Sequence, residues 1–139
     1  MSQTYGSLDF EREMYWAVHE EECLAYVARG LTDYLGRGRL DVHGPWEPSA
    51  CSARLLDWFD QGLIELYDDR EGHPSNRPDR PGHPSTRNGP TGIIPSAKAR
   101  ELLAAWAEWS QGDEIWLCTR LVSTDRGELE LQESVGPIV

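Results

Sequence analysis

The chain has 139 residues, a length that fits one domain with a single core and argues against a second. Hydrophobic residues make up 39% and there are six tryptophans, enough apolar surface for a globular fold, so any disorder is expected to be local. The formal net charge of -11 repels phosphate backbones and attracts cationic partners, which argues against nonspecific nucleic-acid binding. Cys23, Cys51 and Cys118 are widely spaced in apolar runs with no CxxC, and no apolar leader follows Met1. That usage points to a reducing cytoplasm and to thiols acting as small core residues. No run approaches the roughly twenty apolar residues of a membrane-spanning helix.

Residues 1–8 read as a mobile tail. From about Asp9 to Leu35 the pattern is helical, as one helix or two, with Trp16, Cys23, Val27, Leu31 and Tyr34 on one stripe and Gly30 as a break. Glu20 falls inside that stripe with Glu13 in line. A carboxylate there is either exposed or must be paired, and exposure is expected. Gly36 to Trp46 is turn-rich, with room for a short strand at Arg39–His43.

The best-defined stretch is Ser49–Asp69. Cys51, Leu55, Trp58 and Phe59 fall on one arc of a helical wheel, and Arg54, Asp57, Asp60 and Gln61 on the opposite arc. Ser49 is the expected cap and Gly62 the left-handed terminator. From Leu63 the period changes to two, which predicts a strand through Tyr67.

Residues 70–92 are nearly free of large apolar groups and carry GHPS twice, at 72–75 and 82–85. Four arginines against two acids make this segment +2, leaving -13 on the remainder. It is expected to be a flexible, low-complexity loop within the domain. Beyond it, Pro95 and Ser96 open a helix with Ala99, Leu102, Leu103, Trp106 and Trp109 inward. Ile115–Ser123 reads as a covered strand, Thr124–Gly127 as a turn, and Glu128–Gln132 as the hairpin partner with Leu129 and Leu131 inward. The expected fold is α+β, three amphipathic helices with a small antiparallel sheet.

A helix such as ARLLDWFDQGLIELYDD, closed by glycine and feeding a strand, resembles the last helix and first wing strand of a winged-helix domain, with residues 70–92 in the wing position. The stretches IIPSAKARELLAAWAEW and DEIWLCTRL resemble a pattern found in small uncharacterised actinobacterial proteins. The winged-helix resemblance implies DNA binding through the outward face of the helix. That face should then carry Arg, Lys, Asn or Gln, yet here it carries two aspartates against Arg54.

No constellation points to catalysis, a metal or a cofactor. His19 and Cys23 stand four apart, but HEEEC is not the HExxH of zinc hydrolases. The serines lack a GxSxG context, and no glycine-rich phosphate loop is present. Asp68 and Asp69 are neighbours in a strand and project to opposite sides. Tryptophan anchors many interfaces, which singles out Trp46 and Trp109 at the edges of predicted elements. The reading is a cytoplasmic, non-enzymatic acidic module that binds a basic protein partner, as immunity proteins and antitoxins do. Its predicted contact residues are Trp46, Arg54, Asp57, Asp60, Gln61 and Trp109. A winged-helix transcription regulator is the alternative.

Overall fold

The computed structural model describes residues 7–29, 31–36, 39–74 and 91–135, with side chains described for 10–29, 44–74 and 91–135. Most of the duplicated GHPS segment, including His83, and most of the expected N-terminal tail lie outside them. The chain folds as α+β. In order it forms α1 (Ser7–His19), the short α2 (Leu24–Val27), β1 (Leu31–Gly36), β2 (Arg39–His43), α3 (Pro48–Asp60), β3 (Ile64–Asp68), α4 (Ser96–Ala104), α5 (Glu114–Cys118), β4 (Thr119–Ser123) and α6 (Asp125–Val135).

β1 and β2 form one antiparallel hairpin, and β3 and β4 form a second ladder running from the Ile64–Ser123 pair to Asp68–Thr119. Single bridges widen the second ladder on both sides, Cys23 against Arg120 and Ile93 against Tyr67. α1, α3 and α4 pack over it, and Val18, Leu24, Leu55, Leu66, Leu103 and Leu121 fill the shared core. No described helix is long and apolar enough to cross a membrane.

The α3–β3 corner follows the sequence expectation. Cys51, Leu55 and Trp58 are buried, and Phe59 packs partly covered beside them. Gly62 has φ +75°; its N–H donates to the Phe59 carbonyl at 3.0 Å, and the Leu63 N–H to the Trp58 carbonyl at 3.0 Å. This pair of bonds is the Schellman ending, and it turns the chain directly into β3. At the other end the helix starts one residue before the expected cap: Pro48 occupies the first turn, Glu47 precedes it, and no side chain caps it. A proline there leaves no N–H to satisfy.

Elsewhere the structure corrects the sequence reading. The long helical pattern from Asp9 breaks at Glu20 and Glu21, and Leu31 and Tyr34 lie in β1. Glu21 has φ +55°, a left-handed position that ends a helix. α4 stops at Ala104, a single tight turn (Trp106–Glu108) follows, and Trp106 points to solvent. Ile115–Ser123 divides into α5 and β4. The expected hairpin strand at Glu128–Gln132 is the middle of α6, so Leu131 is buried while Leu129 is 67% exposed. The N–H of Gly127 donates to Thr124 Oγ1 at 2.9 Å, and this hydroxyl donates to the Gly62 carbonyl at 2.8 Å. One threonine therefore caps α6 and fastens it to the α3–β3 corner.

Candidate functional site

α6, so placed, forms one wall of a groove of roughly 620 Å³ whose other walls are α1 and α3. Its floor is apolar, from Trp58, Leu63 and Val135, and its rims carry Glu11, Asp57, Glu130 and Glu133. Arg54 is the one cation among the lining residues, and it is already held. Its Nη1 donates to Glu11 Oε1 at 2.8 Å, its Nη2 pairs with Asp57, and its guanidinium lies 5.4 Å from the Trp58 ring centroid. Arg126 Nε pairs with Glu130 Oε2 at 2.5 Å. Glu133 has no cationic partner among the described residues. An apolar floor between carboxylate rims favours a ligand with a hydrocarbon stem and a positive end.

Of the residues picked from sequence, Arg54, Asp57 and Gln61 come together in this groove. Asp60 turns to the other side of α3 and pairs with Arg100, whose guanidinium lies 6.0 Å from the Phe59 ring. Trp46 is 7% exposed, packs edge-on against Phe10 at 5.4 Å, and contributes to a second, smaller pocket. Trp109 is 2% exposed and its Nε1 donates to the Leu102 carbonyl at 3.0 Å. It closes the core beneath the end of α4, which leaves it no face for a partner.

Glu130 and Glu133 were missed because Glu128–Gln132 reads as a strand and Glu133 falls just beyond it. Their signal was present: Glu, Leu and Gln are strong helix formers, and Thr124 followed by acids is a helix start. A second cluster was also missed. Glu21 Oε1 accepts from the Tyr67 hydroxyl at 2.5 Å and lies 2.7 Å from His73 Nε2, with the His73 ring edge-on to Tyr67 at 5.2 Å. Arg120 steadies this corner, its Nη1 donating to the Glu21 carbonyl at 3.1 Å and its Nε to Asp69 Oδ2 at 2.6 Å. Burial, and then the Glu21 carboxylate, push the Tyr67 hydroxyl well above its usual range. These residues are 46 and 52 positions from Glu21, so spacing could not have joined them.

The His19–Cys23 pair does not share a helical face, because α1 ends at His19 and Cys23 lies in an extended bridge. His19 instead stands 3.6 Å from Glu128. Among the described residues no three His, Cys, Asp or Glu side chains converge as metal ligands do. Comparison with protein-family models, curated proteins and solved structures finds no match.

Proposed function

We propose that this chain is a non-enzymatic, acidic protein-binding module that seats a basic segment of a partner protein in the α1–α3–α6 groove, in the manner of immunity proteins and antitoxins. The observation that carries it is the composition of that groove, four carboxylates over a tryptophan floor with its lining arginine already paired. Such a field speeds encounter with a positive partner and selects against a negative one. The three unpaired cysteines suit a reducing compartment, and we place the protein in the cytoplasm.

A second reading, a winged-helix transcription regulator, draws on one feature. The segment after residues 70–92 returns antiparallel to β3, with the Asp68 N–H donating to the Gly92 carbonyl at 2.7 Å and the Ile94 N–H to the Leu66 carbonyl at 2.9 Å. β3 and this bridged return flank the arginine-bearing sequence that the winged-helix reading takes as a wing. The neighbouring helix presents Asp57 paired with Arg54 and, on its other side, Asp60 paired with Arg100, so its one arginine is already engaged and little draws a phosphate backbone to it.

Anisotropy of a labelled arginine-rich peptide and of a labelled random-sequence duplex, each at low and at physiological salt, separates the two. The first reading expects peptide binding that weakens with salt, and a roughly tenfold loss at low salt in the Glu130→Gln/Glu133→Gln variant. Unchanged binding by that variant would overturn the groove assignment. Retention of the duplex at low salt would favour the regulator.

A further inference from the structure

The second pocket lies on the opposite side of α1, has a volume of roughly 340 Å³, and is bounded by α1, α2 and β4. Two of its walls are large aromatic groups left open to water, Trp16 at 37% exposed and Tyr26 at 40%. Trp46 contributes the buried aromatic surface between them, and Glu20 and Glu22 stand on the rim. Neither glutamate is ion-paired among the described residues; Glu22 Oε1 accepts only from the Cys23 amide, at 3.2 Å, and from its thiol. Arg120 also lines the pocket, but its guanidinium is turned to Asp69 and to the Glu21 carbonyl.

Aromatic faces beside carboxylates select a particular chemistry. A guanidinium is planar and weakly hydrated, stacks on an indole or phenol, and can offer its remaining N–H groups to a carboxylate in the plane. This fold already makes such a contact at the pocket edge, where the Arg29 guanidinium stands 4.2 Å from the Tyr26 ring centroid. No described cation stacks on Trp16, and the ring contact it makes among the described residues is with His19 at 6.1 Å.

We infer that this pocket receives an arginine side chain from the partner protein, stacked on Trp16 with its fork toward Glu20 and Glu22. The inference rests on the basic-partner reading for the source of the arginine and names the side chain that a second contact point takes. A second point on the other side of α1 makes the engagement bivalent, so the two sites together hold a basic segment more tightly than either alone.

The test is a titration of the full chain, with ¹⁵N-labelled indoles and amides, against Nα-acetyl-arginine amide, Nα-acetyl-citrulline amide and free arginine. The blocked arginine is expected to shift the Trp16 indole and the Glu20 and Glu22 amides with millimolar affinity. The isosteric but neutral citrulline should shift them at least about fivefold less. Trp16→Leu and Glu20→Gln should each weaken the response about threefold or more, in line with a part-exposed cation–π contact. Equal response to citrulline, or wild-type affinity in both variants, overturns the inference. Tighter binding of free arginine than of the blocked form assigns the pocket to a small molecule, and overturns it too. Failure here is distinct from failure of the groove: Glu130→Gln/Glu133→Gln leaves the Trp16 shifts in place, and Trp16→Leu leaves the groove intact.

Discussion

Replacing Gly127 with alanine tests how α6, and with it half of the acidic groove, is held. A Cβ at this position would lie 1.8 Å from the Leu63 carbonyl oxygen and 2.6 Å from its carbon, where real contacts stay above 3.0 Å. Both obstacles are backbone, so relief requires α6 to move by more than about 1 Å from the α3–β3 corner. That movement strains the bond from the Thr124 N–H to the Leu63 carbonyl at 3.0 Å, and the one from the Thr124 hydroxyl to the Gly62 carbonyl. Overpacking costs about 1–3 kcal/mol and the two bonds about 1 kcal/mol each, against a gain of about 1 kcal/mol from alanine's helix propensity. The sum is a net loss of roughly 2–4 kcal/mol, or roughly 10 °C in Tm for a domain of this size. Gly112→Ala is the control: nothing lies within 4 Å of its Cβ, so its cost is only that of the left-handed backbone at φ +85°, about 1–2 kcal/mol. Urea unfolding with an unchanged m-value would rank the two. If Gly127→Ala proved as stable as the native chain, or less harmful than Gly112→Ala, α6 could not rest on Leu63 as described.

Two further outcomes follow from buried polar groups. Ser52 Oγ donates to the Leu103 carbonyl at 2.6 Å, tying α3 to the last turn of α4; Ser52→Ala strands that carbonyl and should cost about 1–2 kcal/mol by urea unfolding. Burial pushes the Cys51 thiol up from near 9 to about 12, so the folded state holds its proton where the unfolded chain releases it. Its contribution is therefore complete below pH 9 and declines as pH rises toward 12, by about 2 kcal/mol at pH 10.5. Tyr67, also raised, acts in the same direction above pH 10. Urea midpoints between pH 7 and 10.5 should fall for the native chain and fall less steeply for Cys51→Ala, even though that variant starts slightly less stable.

What sequence could and could not reveal turns on the competition between periodicity and chain punctuation. α3 and its exit were legible because an apolar stripe, a proline entry and a glycine stop all agreed on one element. α6 was not, because alternation of Glu and Leu over five residues matches a strand, while Gly127 hides the helical start. In the fold that glycine is present because Leu63 leaves no room for a side chain, a tertiary cause with no local trace. IWLCTRLVS was misread for a different reason: a short run with large apolar groups on both faces has no clear period to read, and only its division at Thr119 separates helix from strand. The site fared accordingly. Arg54, Asp57 and Gln61 shared a legible helix, whereas Trp109 looked peripheral because its helix was drawn past the true end at Ala104.

The charge pattern separates local complementarity from simple acidity. Arg54, Arg70, Lys98, Arg100, Arg120 and Arg126 each face a carboxylate, so most of the described cations are neutralised where they stand. Carboxylates with no cation among the described residues, such as Glu20, Glu22 and Glu133, line the two concave faces, where low-dielectric walls focus the field. If net charge alone drew a basic partner, any two acids would serve equally. Glu101 and Glu108 lie exposed on and just beyond α4, away from both pockets. Glu101→Gln/Glu108→Gln removes the same two charges as Glu130→Gln/Glu133→Gln. At physiological salt, with a screening length of about 8 Å, the first pair should change arginine-rich peptide binding by less than about twofold and the second by several-fold. Equal losses from the two pairs would reduce the grooves to bystanders of a diffuse negative field.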